Sequence, residues 1–143
     1  MTMKRDKSFG YVINHLSRLT TQALNDAIIG HGVTPGQFPV LLCLWEQDGL
    51  TQRELYERVS IEQATMSNTL KRMERDGLVT RTPDPNDRRA SRIKLTAKAK
   101  KLEPTLTAAA KDVNKQAFGK LKKKDKKVLM DTLDAMVGNL SAP

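Results

Sequence analysis

The chain has 143 residues, a formal net charge of +9, 38% hydrophobic residues and one cysteine. That length suits a single domain, and no apolar run nears the ~20 residues needed to span a bilayer. The basic balance favours polyanionic partners such as nucleic acid, while the lone Cys43 leaves no internal disulfide and fits a reducing cytoplasm.

The N-terminal MTMKRDKSFGYV has no sustained apolar segment, so no secretion signal is expected. From residue 6 to 29, Phe9, Val12, Ile13, Leu16, Leu19, Ala23, Leu24, Ala27 and Ile28 recur at three- and four-residue spacing. That period predicts an amphipathic helix, ended by Gly30 and Gly32. Thr34-Pro35-Gly36-Gln37 then reads as a capping-box start. The helix behind it, to about Gln47, carries Phe38, Leu41, Leu42, Leu44 and Trp45 and is expected to be central to the core. Cys43 lies within it and reads as a small buried hydrophobe.

The stretch 51–96 organises the rest. Asp48-Gly49 breaks the preceding helix, and Thr51-x-x-Glu54 opens the next, with Leu55 and Val59 facing inward. Ser60-x-x-Gln63 reads as a further capping box, so a second helix is expected after a short turn. Helix, turn, helix is the geometry of a DNA-reading unit. In that second helix Met66, Leu70 and Met73 form the core stripe, while Ala64, Asn68, Lys71 and Arg75 point away. Thr65, Ser67 and Arg72 flank them. Small residues let such a helix sit deep in a major groove, where Asn can pair with adenine and Arg with guanine. Hydroxyls and free amides suit phosphates.

Asp76-Gly77 stops the helix. Leu78 to Thr82 and Arg92 to Leu95 read as strands, separated by the turn formers Pro83-Asp84-Pro85-Asn86-Asp87. Arg88 and Arg89 are expected at or just after the tip, where a guanidinium can enter a narrow minor groove. After Thr96 a long helix carries Leu102, Leu106, Ala109, Val113 and Ala117, with Pro104 expected to kink it. A last helix from about Lys124 carries Leu129, Leu133, Met136, Val137 and Leu140. These terminal helices have no obvious partner in the central unit, so a symmetric homodimer is the simplest arrangement. Eleven lysines lie between residues 96 and 127 against three acidic residues. The Lys122 to Lys127 cluster opposes the macrodipole of the last helix, and it suggests either a wider DNA footprint or attraction of an anionic effector.

No nucleophile–base pair, phosphate-cradling glycine loop or His/Cys cluster is present, so neither an enzyme, a metal site nor a cofactor is expected. His15 and His31 are singletons and read as surface or cap residues.

The motifs together resemble the MarR-type winged helix-turn-helix regulators, nearest their SlyA-like branch. Asp87-Arg88-Arg89 followed by Leu95-Thr96 fits the family's D-x-R-x-x-x-x-x-L-T wing pattern, and Ile61-Glu62-Gln63 and Gly77-Leu78-Val79 also match. The resemblance implies a mainly α, α+β winged-helix fold over 1–143. It implies a DNA-binding lobe at 34–99 and dimerisation helices at 6–33 and 100–143. It also implies a cytoplasmic homodimer on double-stranded, pseudo-palindromic DNA, acting as a repressor released by a small anionic aromatic or acyl-CoA ligand. Thr65, Ser67, Asn68, Lys71, Arg72, Arg88 and Arg89 would meet DNA, Asp87 would support the wing, and His15, Arg18, Cys43 and Trp45 would line a ligand pocket. The family often has Gly where this chain has Ala99, which is expected only to continue the helix. The alternative is a winged-helix protein-interaction module that does not read DNA.

Overall fold

The structure, a computed structural model, describes residues 1–141. Among the described residues six α-helices and three strands follow in chain order, besides two single-turn 3-10 helices: α1 (Phe9–Ile28), α2 (Phe38–Glu46), β1 (Leu50–Thr51), α3 (Gln52–Arg58), α4 (Gln63–Arg75), β2 (Val79–Asp84), β3 (Asp87–Leu95), α5 (Ala97–Phe118) and α6 (Lys123–Ser141). The fold is therefore mainly α, with one antiparallel sheet in the order β1-β3-β2.

Local chemistry sets most boundaries. After α1 a 3-10 turn, Ile29–His31, is closed by Gly32 in the left-handed region, at φ 78°. The Thr34–Gln37 capping box forms, with Thr34 N–H donating to Gln37 Oε1 at 3.1 Å and Gln37 N–H to Thr34 Oγ1 at 3.4 Å. Regular α2 nevertheless begins only at Phe38, because Pro35 and Pro39 both lack an amide proton and leave the opening turn irregular. At α3 the Thr51–Glu54 capping box is complete. Its hydrogen bonds from Thr51, backbone first, hold the Glu54 carboxyl below its ordinary range.

The Ser60 capping box expected from sequence does not form. Glu62 occupies the N-cap position of α4 without a side-chain cap. The chain instead makes a tight turn in which Ile61 N–H donates to Val59 O at 2.9 Å, and Ile61 packs against the core. Burying Ile61 takes precedence over capping through Ser60. The other end of α4 is a Schellman motif. Gly77 N–H donates to Glu74 O at 3.1 Å and Leu78 N–H to Met73 O at 2.9 Å. Gly77 takes φ 73°, and Met73 and Leu78 are both fully buried.

The strands run longer than the sequence reading had them, and the loop between them shrinks to Pro85-Asn86. Asn86 N–H donates to Asp84 Oδ1 at 3.0 Å, and a register shift between Pro83 and Asp84 accommodates the turn. A side-chain acceptor and one irregular step therefore do the work that a positive-φ glycine turn does elsewhere. Strand β1 was not foreseen, since two residues are too few to show alternation. Leu50 and Thr51 pair with Ile93 and Arg92.

One hydrophobic core joins these elements. Val40, Leu41 and Leu44 of α2, Leu55 of α3, Met66, Leu70 and Met73 of α4, and Leu78, Val79 and Ile93 of the sheet are all buried. Ile28 of α1 and Ala99 and Leu106 of α5 complete it. Helix α5 continues through Pro104, and Ala99 is a buried helical residue just behind the Thr96 N-cap. Helix α1 lies along α5, whereas α6 makes no extensive contact with any other element and has no buried residue.

Candidate nucleic-acid interface

Helix α4 presents the face expected of a reading helix. Met66, Leu70 and Met73 anchor it in the core, which turns Ala64, Thr65, Asn68, Lys71, Arg72 and Arg75 to solvent. Ser67 is half-buried at the edge. The exposed side chains of Thr65, Asn68, Lys71 and Arg72 make no hydrogen bond or ion pair among the described residues, so their donors are free. Arg75 is not free in this way. Its Nε donates to Asp76 Oδ1 at 3.0 Å.

The wing stands beside this helix. Arg88 and Arg89 are exposed in β3, one strand step past the turn rather than in an extended loop. Neither guanidinium meets a carboxylate among the described residues. Asp87 acts on the backbone instead, its Oδ1 accepting from Arg89 N–H at 2.9 Å. This fixes the chain direction at Arg89 and leaves its charge available. Between wing and helices lies a cleft of about 660 Å³, bordered by Gln52 and Tyr56 of α3, Gln63 of α4, and Asp87, Arg89 and Ser91 of β3.

Two arginines that sequence reasoning passed over brace the wing. Arg92 Nη1 donates to Gly49 O at 2.8 Å and its Nε lies 3.6 Å from Asp84 Oδ1. Arg81 Nε lies 2.6 Å from Glu74 Oε1, and its Nη1 donates to Gln52 Oε1 at 2.8 Å. For Arg81 the available signal was its place two residues after the buried Val79, which strand alternation turns inward.

A second concavity, of about 420 Å³, lies between α1, α2 and α5. Leu24, Phe38, Leu42 and Val113 supply apolar walls, with Thr20, Lys111 and Asn114 as polar groups. The structure does not gather His15, Arg18, Cys43 and Trp45 into this space. His15 and Arg18 are exposed on α1. Cys43 is buried, and burial pushes its thiol pKa up, partly opposed by the Arg58 charge. Trp45 donates through Nε1 to Ala99 O at 3.2 Å and packs edge-on against Phe38. Residues two apart on a helix point roughly 200° apart, so Cys43 and Trp45 cannot share one wall. Among the described residues no cluster of three or more His, Cys, Asp or Glu could hold a metal ion, and no helix is long and apolar enough to cross a membrane.

The MarR family model matches residues 33–91. The chain is 31% identical over 120 residues to the uncharacterized HTH-type transcriptional regulator YwoH of Bacillus subtilis, with 76% of this chain and 87% of YwoH aligned. The chain belongs to the MarR family. It is also 31% identical over 121 residues to the HTH-type regulator TtmR of Methylorubrum extorquens, covering 85% of this chain but only 61% of TtmR's length. Among solved structures, a MarR transcriptional regulator from Methanosarcina mazei superposes with a TM-score of 0.83 at 30% identity, covering 91% of this chain and 94% of that one. A MarR-family regulator from Listeria monocytogenes, solved with a 26mer DNA, shares the fold at TM-score 0.86 and 22% identity, covering 96% and 90%. These matches assign the MarR family without specifying the SlyA-like branch. MarR-family relatives are transcriptional regulators and not enzymes.

Proposed function

We propose that this protein is a homodimeric, sequence-specific DNA-binding regulator that represses transcription until a small anionic ligand releases it. The observation that carries this reading is the unpartnered polar and basic face of α4 beside the free guanidinium groups of Arg88 and Arg89. Thr65, Ser67, Asn68, Lys71 and Arg72 enter the major groove, where Asn68 and Arg72 read base edges and the others hold phosphates. Arg89 enters the minor groove, and Asp87 holds the backbone that aims it. The Listeria MarR-family regulator was solved with DNA, which supports duplex DNA as the partner.

In this reading the lobe at 34–99 binds DNA, and the regions 6–33 and 100–143, of which 142–143 lie outside the described residues, join two copies in the cytoplasm. Exposed apolar residues on α1 (Phe9, Val12, Leu16, Leu19) and α6 (Val128, Leu129, Met130, Val137) support dimerisation. The groove between α1, α2 and α5 supports a ligand with an apolar or aromatic body, against Leu24 and Phe38, and an anionic group near Lys111. The Lys122 to Lys127 cluster lies at the far end of α5. Helix α5 runs 22 residues from the sheet to that cluster, about 33 Å at 1.5 Å per residue. At that end of α5 the cluster either widens the DNA footprint or attracts an anionic effector, and neutralising Lys122 to Lys124 separates the two through the salt slope and the effector response.

Selection of bound sites from random duplexes tests the reading. The expected product is a pseudo-palindrome whose half-sites lie roughly one helical turn apart, about 34–36 Å, or a multiple of it. Arg89→Ala is expected to weaken binding to that site by about 1–3 kcal/mol, and an unchanged affinity would reject wing insertion. A chain that binds no duplex at low salt would be a protein-interaction module instead.

A further inference from the structure

The wing has a core only at its root. Val79, Ile93 and Leu95 are buried, but no residue from 80 to 92 is. Beyond the Arg81–Ile93 pair the hairpin leaves the hydrophobic core. Hydrophobic burial therefore cannot set the angle between the wing tip and α4. Directly paired residues of an antiparallel ladder share one face, so Arg81 lies on the inward side with fully buried Ile93. From there its guanidinium bonds to two different helices, Glu74 of α4 at 2.6 Å and Gln52 of α3 at 2.8 Å. A planar fork with fixed donor directions suits this task, and a lysine ammonium does not reproduce it. Both partners of the ion pair are about one-third exposed, so the tie adds little to global stability. Its consequence is geometric.

We propose that Arg81 is a positioning residue for DNA recognition: it clamps the wing to α3 and α4, and so fixes the distance between the minor-groove arginine and the major-groove helix. This rests on the DNA-reading function above. Arg81 need not touch DNA. Without it Arg88 and Arg89 remain present and charged, but they sample many positions, and binding must then order them.

A double-mutant cycle in the full-length chain tests this, using the duplex selected by the wild-type protein as probe. Arg81→Ala is expected to raise Kd about tenfold, equivalent to about 1.4 kcal/mol. In a chain whose wing is already silenced by Arg88→Ala with Arg89→Ala, the same change is expected to raise Kd by less than about twofold, because its effect passes through those arginines. Equal losses in both backgrounds would overturn the proposal. So would a salt slope that falls by about one when Arg81 is removed from the silenced chain, since Arg81 would then be a phosphate contact. A lowered Tm with unchanged Kd at a temperature where the protein is folded would make it merely structural. Should Arg81→Ala fail to fold, Glu74→Gln releases one arm of the clamp, and the same comparison decides. If the wild-type chain selects no duplex, the DNA-reading function itself fails, and the failure is not specific to Arg81.

Discussion

Leu70 on α4 and Val137 on α6 are both aliphatic residues on the apolar stripe of an amphipathic helix, yet Leu70 is fully buried and Val137 is 62% exposed. The contrast extends to the regions around them. The winged lobe closes a core from α2, α3, α4 and the sheet, to which α1 and α5 add Ile28, Ala99 and Leu106. Helix α6 has no buried residue, and α1 buries only Ile28. An apolar stripe states that a helix face must leave water. It does not state whether the cover comes from the same chain. In the lobe the connections are short, so neighbouring elements cover one another. The terminal helices present more apolar surface than one chain can cover.

The largest effect is expected where that difference is greatest. Val137→Asp together with Leu16→Asp puts charges on the exposed stripes of α6 and α1. Solution mass is expected to fall from a dimer to a monomer, and operator affinity to drop by about 10²–10⁴-fold as the two half-sites cease to be linked. Wild-type mass and affinity in this variant would mean that the terminal helices are not what joins two copies. Leu70→Ala attacks the other side of the comparison. It removes a fully buried side chain and is expected to cost about 3 kcal/mol of stability, read as a lower urea midpoint. Mass measured where the variant is still folded is expected to remain dimeric.

The smallest effect tests how the lobe holds the end of α4. Asp76 accepts from Arg75 and from Gln37 Nε2 at 2.9 Å, and these bonds, Arg75 first, hold its carboxyl below the ordinary range. A carboxyl whose pKa is lower in the folded state adds stability above its unfolded pKa and loses it as pH falls through the folded value. Asp76→Asn is therefore expected to lower the urea midpoint at pH 7 and to converge on wild type in strong acid. A gap that stays constant with pH would remove the carboxylate from the account.

Much of the lobe was legible beforehand because its signals are local. A capping box such as Thr51–Glu54, a glycine such as Gly77 and a three–four spacing such as Met66, Leu70 and Met73 all act within a few residues. The failures were cases where a distant contact outweighed a local preference. Ser60 lost its capping role because Ile61 had to reach the core. Strand β1 exists only because β3 lies beside it. Of the pocket residues implied by resemblance, His15 and Arg18 lie exposed on α1, while Cys43 and Trp45 point apart on α2, a phase that a list of polar and aromatic residues does not convey. Arg81 and Arg92 were missed because an arginine in a strand shows its worth only when its partners are known. Of those partners, Gln52 and Gly49 lie 29 and 43 residues away.

The sequence by itself determined the order of the six helices and the two wing strands, the buried face of α4 and membership of a winged-helix family. Each of these follows from periodicity, capping and short motifs, which are properties of neighbouring residues. Tertiary structure alone decided how the wing is held against the reading helix and where a ligand-sized groove opens. It also decided which apolar faces one chain leaves uncovered. These depend on which distant side chains meet, and hydrogen bonds and packing contacts settle that only after the chain has closed on itself.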